Sequence, residues 1–167
     1  MNTDQKDMNT DQKESPPAQM AETCSPMTAD EIIDETLEYY TGHPERFARN
    51  TALSESGDDP TLPQYKCSYF TKDGRMCAVG RCLDKEAALK HIGAKCLRQS
   101  HPVTEMVLHS KSALDLSLQP KYQGHPLEFW ADLQNLHDSR RFWNSEAQLT
   151  ASGRARVHSL RESYGHA

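Results

Sequence analysis

The chain has 167 residues, an apolar fraction of 36% and a formal net charge of −5, with a mean hydropathy of −0.81. It contains no run of about 18 apolar residues and opens on a polar segment, which argues against a membrane-spanning helix and a secretory signal peptide. We therefore predict a cytoplasmic protein whose five cysteines are thiols or metal ligands rather than disulfides.

Acidic charge is concentrated in the first part of the chain. Residues 1–60 hold fourteen acidic and four basic residues, a net charge of −10, whereas residues 61–167 hold ten acidic and fifteen basic residues, a net charge of +5. Residues 1–27 show no apolar periodicity and repeat a heptapeptide almost unchanged at Met1 and Met8. These features predict a disordered acidic tail over 1–27 and a single compact domain over 28–165.

The first predicted helix begins after Thr28. Thr28-Ala-Asp-Glu31 has the pattern of a capping box, and Gly42 is a suitable residue to end the helix. One face carries the apolar and small residues that we expect to be buried: Ile32, Ile33, Thr36, Leu37 and Tyr40. Residues 43–63 are rich in turn formers and predict a loop, in which Phe47 and Leu53 are expected to contact the domain.

Residues 65–79 predict a β-hairpin. Tyr65 to Thr71 is rich in aromatic residues and alternates, Lys72-Asp-Gly-Arg75 is a strong turn signal, and Met76 to Val79 follows as the second strand. We therefore predict an α+β fold, in which a small antiparallel sheet around this central hairpin is packed by three or four helices.

Asp84 is a good N-cap for a helix that runs to about Ile92 and ends at Gly93, with Ala88, Leu89 and Ile92 inward. In an alternative register the helix begins near Cys77. From 95 to 123 the pattern is weaker. It predicts a short helix around residues 103–108 and a third strand over residues 113–118.

The last third of the chain predicts two helices. Pro126 suits a first helical turn, and an apolar stripe extends the first helix to about Arg141. The stripe comprises Leu127, Phe129, Trp130, Leu133 and Leu136. Phe142 and Trp143 are expected in the core. The final helix starts near Thr150 or Ser152, with Val157, Leu160 and Tyr164 inward.

The cysteines support three interpretations. Free cysteine is commonly a small buried apolar residue, which makes structural thiols the first interpretation. The second is catalysis by Cys77, which lies near cationic Arg75 and Arg81, with His137 as base and Asp138 as its carboxylate; the enzyme would be a cysteine-dependent hydrolase or transferase. The third is a zinc-stabilised binding module with the ligands Cys67, Cys77, Cys82 and His91. No other cofactor is predicted.

Common nucleotide-binding and hydrolase motifs are absent: the sequence has no G-x-x-x-x-G-K-[ST], G-x-G-x-x-G, G-x-S-x-G or H-E-x-x-H. Their absence lowers the expectation of an enzyme. Five arginines provide a candidate nucleic-acid surface: Arg140, Arg141, Arg154, Arg156 and Arg161. The pI near 5.9 and the scattered positive charges favour solvated helix faces instead.

Two patterns resemble a diffuse family of small, largely uncharacterised proteins of bacteriophages and related mobile elements. The first is Cys67-Ser-Tyr69 followed by Gly74-Arg-Met-Cys77-Ala-Val-Gly80, and the second is Leu133-Gln-Asn-Leu136-His137-Asp138 with Trp143 soon after. Arg81 departs from the family pattern, in which a cysteine or an apolar residue follows the glycine.

The resemblance implies a phage-type context and a fold, and it carries no activity with it. Together with the small size, the absent catalytic motifs and the acidic leading segment, this context favours an accessory protein in the host cytoplasm that binds a host or phage partner, for example as an inhibitor of a host or defence function. A protein is the expected partner and a small molecule the alternative; neither nucleic acid nor a membrane is expected. We predict Tyr69, Arg75, Arg81 and Trp143 as partner-binding residues.

Overall fold

The computed structural model describes residues 25–50, 66–94, 97 and 111–165. For residues 49, 50, 66, 67, 111 and 112 it describes the backbone alone. The described ranges are mainly helical. The α-helices that the argument uses are α1 (Ala29–Tyr40), α2 (Lys85–His91), α3 (Lys111–Ser117), α4 (Leu127–Asp138) and α5 (Ala151–Tyr164). Single 3-10 turns occur at Pro44–Arg46, Gly80–Cys82, Pro120–Tyr122 and Arg140–Phe142.

The predicted α+β fold is wrong. Within the described ranges, the assigned strands are the two-residue segments β1 (Arg49–Asn50) and β2 (Lys66–Cys67), which pair antiparallel. Two residues on each side do not make a sheet that helices can cover. The extended hairpin predicted over 65–79 does not form in the described residues, because β2 pairs with β1 and no strand is assigned to residues 76–79.

The turn inside the predicted hairpin does form. The Thr71 amide donates to the Arg75 carbonyl at 2.9 Å, and Gly74 has a φ of 85°, as the Asp-Gly signal predicts. Beyond the turn, Met76 makes two isolated bridges, one antiparallel to Phe70 and one parallel to Phe47. The chain then bends into the 3-10 turn Gly80–Cys82, so the alternative in which an α-helix begins near Cys77 is also wrong.

Helix α1 confirms the local prediction. The Thr28 hydroxyl accepts from the Glu31 amide, and the Glu31 carboxylate accepts from the Thr28 amide, completing the capping box. Four residues of its predicted inner face are buried: Ile32, Ile33, Thr36 and Tyr40. Gly42 follows the helix with a φ of 76°.

Helix α2 has Asp84 as its N-cap, whose carboxylate accepts from the Ala87 amide at 2.8 Å, and Gly93 follows with a φ of 88°. Both were predicted. Leu89, predicted inward, is 48% exposed. The predicted third strand over 113–118 is wrong, because those residues lie largely within α3, which packs against α2.

Helices α4 and α5 are confirmed, with α4 ending at Asp138 before the turn Arg140–Phe142. Thr150 caps α5 by accepting from the Gly153 amide at 3.0 Å. Helix α5 packs against α1 and α4. Phe47, Phe142 and Trp143 are buried, as predicted.

Several predictions lie outside the described residues: the tail up to residue 24, the contact of Leu53 and the helix at 103–108. None of the helices in the described ranges is long and apolar enough to cross a membrane.

Candidate functional site

Cys77 lies where the chain leaves the 71–75 turn and enters the 3-10 turn. Its amide donates to the Tyr69 carbonyl at 3.4 Å, and its sulfur accepts from the Gly80 amide at 3.2 Å. The residue is fully buried. The thiol is thus held by the backbone that surrounds it, and a substrate would reach it only if this segment moved.

Cys82 is buried in the same segment. Its thiol donates to the Ala78 carbonyl at 3.4 Å. Burial raises the pKa of the Cys82 thiol to about 12, because a thiolate in the interior loses its hydration. Cys82 therefore remains a neutral thiol near neutral pH and is a poor nucleophile there.

His137 lies in the last turn of α4, within an aromatic cluster. Its Nδ1 is 2.7 Å from Oδ1 of Asp138. The imidazole stacks on Phe47 with ring centroids 5.0 Å apart and meets the Tyr40 ring edge-on at 4.6 Å. Only 1% of the residue is exposed. The predicted histidine–carboxylate pair is therefore present, but it belongs to the core.

Tyr40 connects the predicted base to the segment of the predicted nucleophile. Its hydroxyl donates to the Met76 carbonyl at 2.7 Å, next to Cys77, while its ring contacts His137. Both predicted catalytic residues are buried around Tyr40. This arrangement gives no access for a substrate and favours a structural role for both, while the thiol-enzyme interpretation stays a prediction.

No group of three His, Cys, Asp or Glu residues that could hold a metal ion occurs in the described ranges. Of the predicted ligands, Cys77 and Cys82 are buried and His91 is exposed at the end of α2. The Cys67 side chain lies outside the description. Zinc binding therefore also stays a prediction.

The four predicted binding residues do not form one exposed surface. Tyr69 and Trp143 are buried, and the Trp143 indole donates to the Leu136 carbonyl at 2.7 Å. The Arg81 side chain is only 8% exposed. Arg75 is accessible, at 39%, and pairs with Asp73 at 2.8 Å while also donating to the Phe47 carbonyl at 3.2 Å.

Sequence reasoning missed the carboxylate that holds Arg81. Glu35 of α1 accepts at Oε1 from Arg81 at 2.8 Å, from the Tyr122 hydroxyl at 2.8 Å and from Lys121 at 3.3 Å. Partial burial by itself raises the pKa of the Glu35 carboxyl, but the Tyr122 hydroxyl and the Arg81 charge outweigh it, so that the pKa lies below the usual 4.5. This cluster ties α1 to the 3-10 turns at 80–82 and 120–122.

A second missed feature is a cavity of about 250 Å³ between α3 and the start of α4, which we call the α3–α4 cavity. Its wall includes apolar, aromatic and acidic side chains: Leu114, Asp115, His125, Leu127, Glu128 and Trp130. The only sequence signal at this place was the Gly-His-Pro turn before α4.

The burial of the thiols leads to a test of the thiol-enzyme interpretation. We expect iodoacetamide near neutral pH to modify Cys77 and Cys82 at least about 100-fold more slowly in the native protein than in denaturant, because labelling requires local opening. Time-resolved peptide mapping by mass spectrometry measures each rate, with free glutathione as the reference thiol. A Cys77 that reacts faster than glutathione in the native protein would instead support catalysis.

Comparison with known proteins returned no match: no family model, characterised protein or solved structure resembles the chain closely enough to be assigned to it.

Proposed function

We propose that the chain is a phage-type accessory protein that acts without catalysis, by binding a host or phage protein. The observation that carries this proposal is the burial of Cys77, Cys82 and His137 in core contacts. The enzyme interpretation depends on Cys77 and His137, and Cys82 is a second buried thiol in the same segment as Cys77. The contacts of all three are those of core residues. Binding through the surface is the function that needs none of them.

The phage context rests on the sequence resemblance alone. Inhibition of a host or defence function is the form of activity that we propose within that context. Small size, the absence of catalytic motifs and the acidic leading segment are in keeping with a protein that acts by occupying another protein's surface.

The described arginines favour a protein over a nucleic acid as the partner. Arg156 pairs with Asp132 and Arg161 pairs with Asp34, so two of the five candidate arginines are matched by carboxylates within the fold. Phosphate binding depends on basic groups that remain available to replace counterions. The remaining basic residues make a weak footprint for nucleic acid.

The test is recovery of a partner by full-length tagged protein from lysates of several plausible hosts. We expect one protein to be enriched and to form a complex of defined stoichiometry when both components are purified and measured by native mass spectrometry. The Cys77→Ala variant should recover the same partner, because the proposed activity does not use the thiol. Recovery of no protein above background in any host would overturn the proposal.

A further inference from the structure

Arg141 and Arg154 are exposed arginines whose guanidinium groups contact neutral groups. The guanidinium of Arg141 lies over the Phe142 ring, 4.5 Å from its centroid, and that of Arg154 donates to the Leu149 carbonyl at 2.8 Å. Neither pairs with a carboxylate of the described residues. Five other arginines do so: Arg46, Arg75, Arg81, Arg156 and Arg161. The fold thus matches arginines elsewhere with carboxylates and leaves these two positive charges unmatched.

The two arginines lie close together at one end of the fold. The Thr150 hydroxyl donates to the Arg141 carbonyl, and the Thr150 amide donates to the Phe142 carbonyl at 3.0 Å. A Cβ at Gly153 would lie 2.2 Å from the Phe142 carbonyl oxygen, so the first turn of α5 packs directly on the backbone of 141–142. Arg154 follows Gly153 in that turn. We call the exposed side chains of the two arginines the Arg141–Arg154 surface.

Little negative charge is available near the Arg141–Arg154 surface. Residues 139–154 hold three arginines and one acidic residue, Glu146. The preceding carboxylate, Asp138, is held by Nδ1 of His137 at 2.7 Å. The first turn of α5 contains no acidic residue, and a cation there is repelled by the positive end of the helix dipole. The free protein therefore keeps like charges together without a compensating contact, and an anionic group of a partner would relieve that repulsion.

We propose that the Arg141–Arg154 surface binds an acidic segment of the protein partner, whose carboxylates pair with the two guanidinium groups. A guanidinium has five N–H donors in a planar fork that matches a carboxylate, and Arg154 uses its bond to the Leu149 carbonyl for only part of them. The contacts with Phe142 and Leu149 also position both side chains in advance, which lowers the entropy that binding costs. This inference rests on the proposed function, because it takes the acidic segment from the partner.

The small extent of the surface favours acidic side chains over a nucleic acid. Phosphates follow one another regularly along a strand, and their binding needs a longer stripe of available basic groups. Further along α5 the basic charge is already matched, since Arg156 pairs with Asp132 and Arg161 pairs with Asp34. Two adjacent unmatched guanidinium groups suit a short acidic segment.

The direct test is a titration of the ¹⁵N-labelled full-length protein with acetyl-hexaglutamate amide at low salt. We expect saturable shifts of the backbone amides of Ser152 and Arg154, and no shift at Lys90, an exposed cation of α2. Added NaCl should weaken the binding, because salt screens exposed charges. Acetyl-hexaglutamine amide is the neutral analogue and should shift none of these amides. Equal shifts from the glutamine peptide, or binding that salt does not change, would overturn the proposal.

Paired variants assign the binding to the two arginines. Arg141→Gln and Arg154→Gln should each weaken the binding of acetyl-hexaglutamate amide about two- to fivefold, as for the loss of one exposed ion pair. Arg154→Lys keeps the charge and should bind more tightly than Arg154→Gln. Lys90→Gln makes the same change in charge on α2 and should leave the Kd unchanged. If Lys90→Gln weakens binding as much as Arg154→Gln does, the attraction comes from the net charge of the protein, and the proposal is overturned.

Two further measurements identify other occupants. An oligothymidylate with six phosphates should bind no more tightly than the glutamate peptide, and tighter binding would make nucleic acid the occupant. The acidic leading segment of the chain itself is the second candidate. A variant that neutralises it should bind the peptide with an unchanged Kd, whereas tighter binding would show that this segment competes for the surface. Either contrary result would overturn the proposal. The variant carries four substitutions: Asp4→Asn, Asp7→Asn, Asp11→Asn and Glu14→Gln.

Failure of the surface and failure of the proposed function have different signatures. The double variant Arg141→Gln/Arg154→Gln should recover at least about fivefold less partner than the unmodified protein does. A partner that the double variant recovers equally well would overturn the surface as its contact and leave the proposed function standing. Peptide binding at the surface without any recovered partner would instead overturn the partner as the source of the acidic segment, and with it the proposed function.

Discussion

Gly80→Ala should lower the free energy of unfolding by about 3 kcal/mol or more, at the upper end of the cost of overpacking. A Cβ at residue 80 would lie 2.1 Å from the carbonyl oxygen and 2.8 Å from the carbonyl carbon of Tyr69. Those are backbone atoms of a buried residue, so no flexible side chain can move aside. The 69–77 segment would have to shift, and the core around Cys77 with it. Urea unfolding followed by circular dichroism measures the change.

Gly74→Ala is the matched control for that experiment. Gly74 has a φ of 85°, but a Cβ there would meet no atom within 4 Å. The substitution therefore costs only the left-handed backbone conformation, about 1 kcal/mol. If the two variants lose the same stability, the close approach of Gly80 to Tyr69 is not what the fold requires.

The helix ends could be predicted because their signals are local. Thr28, Asp84 and Thr150 each cap a helix by accepting from the amide three residues later, and Gly42 and Gly93 follow helices with positive φ. Such contacts involve residues three or four positions apart, so the sequence contains both partners. Tertiary context changed none of these ends.

The strands failed because pairing depends on distant residues. The alternation read from the sequence is not found in the burial, since Ser68 and Tyr69 are both buried and Cys77 to Val79 are buried in succession. Strand β2 pairs with residues 49–50, and Gly80 packs against the Tyr69 carbonyl instead of extending a strand. The segment 113–118 has only six residues, and its apolar pattern fits both the alternation of a strand and the spacing of a helix. Leu114, Ser117 and Leu118 are buried, at the i, i+3, i+4 spacing of a helix, while the alternating position Leu116 is 54% exposed.

The candidate site residues also divide into those set by local contacts, which the sequence predicts, and those set by distant contacts, which it does not. His137 lies four residues after Leu133, on the inner face of α4 that the apolar stripe predicted, so its burial was available from the sequence. The α3–α4 cavity was not, because its wall joins Asp115 to Trp130 through a fold that neither helix specifies. Likewise, nothing local indicates that Glu35 accepts from a residue 46 positions away.

Glu35→Gln should lower the free energy of unfolding by about 2 to 3 kcal/mol. The Arg81 guanidinium also donates to the Thr36 hydroxyl at 3.0 Å and is nearly buried, so losing the carboxylate leaves its charge without an anionic partner. The value lies at the low end for broken buried pairs because 31% of the Glu35 side chain is exposed and solvent screens it. Asp34→Asn, on the same helix, removes a carboxylate paired with Arg161 at the surface. It should cost less than about 0.5 kcal/mol.

The pH dependence separates this ion pair from a packing effect. Because the pKa of Glu35 is lower in the folded protein than the usual 4.5, its stabilisation is fully present above 4.5 and is lost as the pH falls through the folded-state pKa. The stability difference between the unmodified protein and Glu35→Gln should therefore be constant near neutral pH and shrink on acidification. Adding Arg81→Met to Glu35→Gln should cost less than the sum of the single changes, since it removes the uncompensated charge. A difference that is independent of pH, together with additive single changes, would show that the pair contributes packing rather than charge.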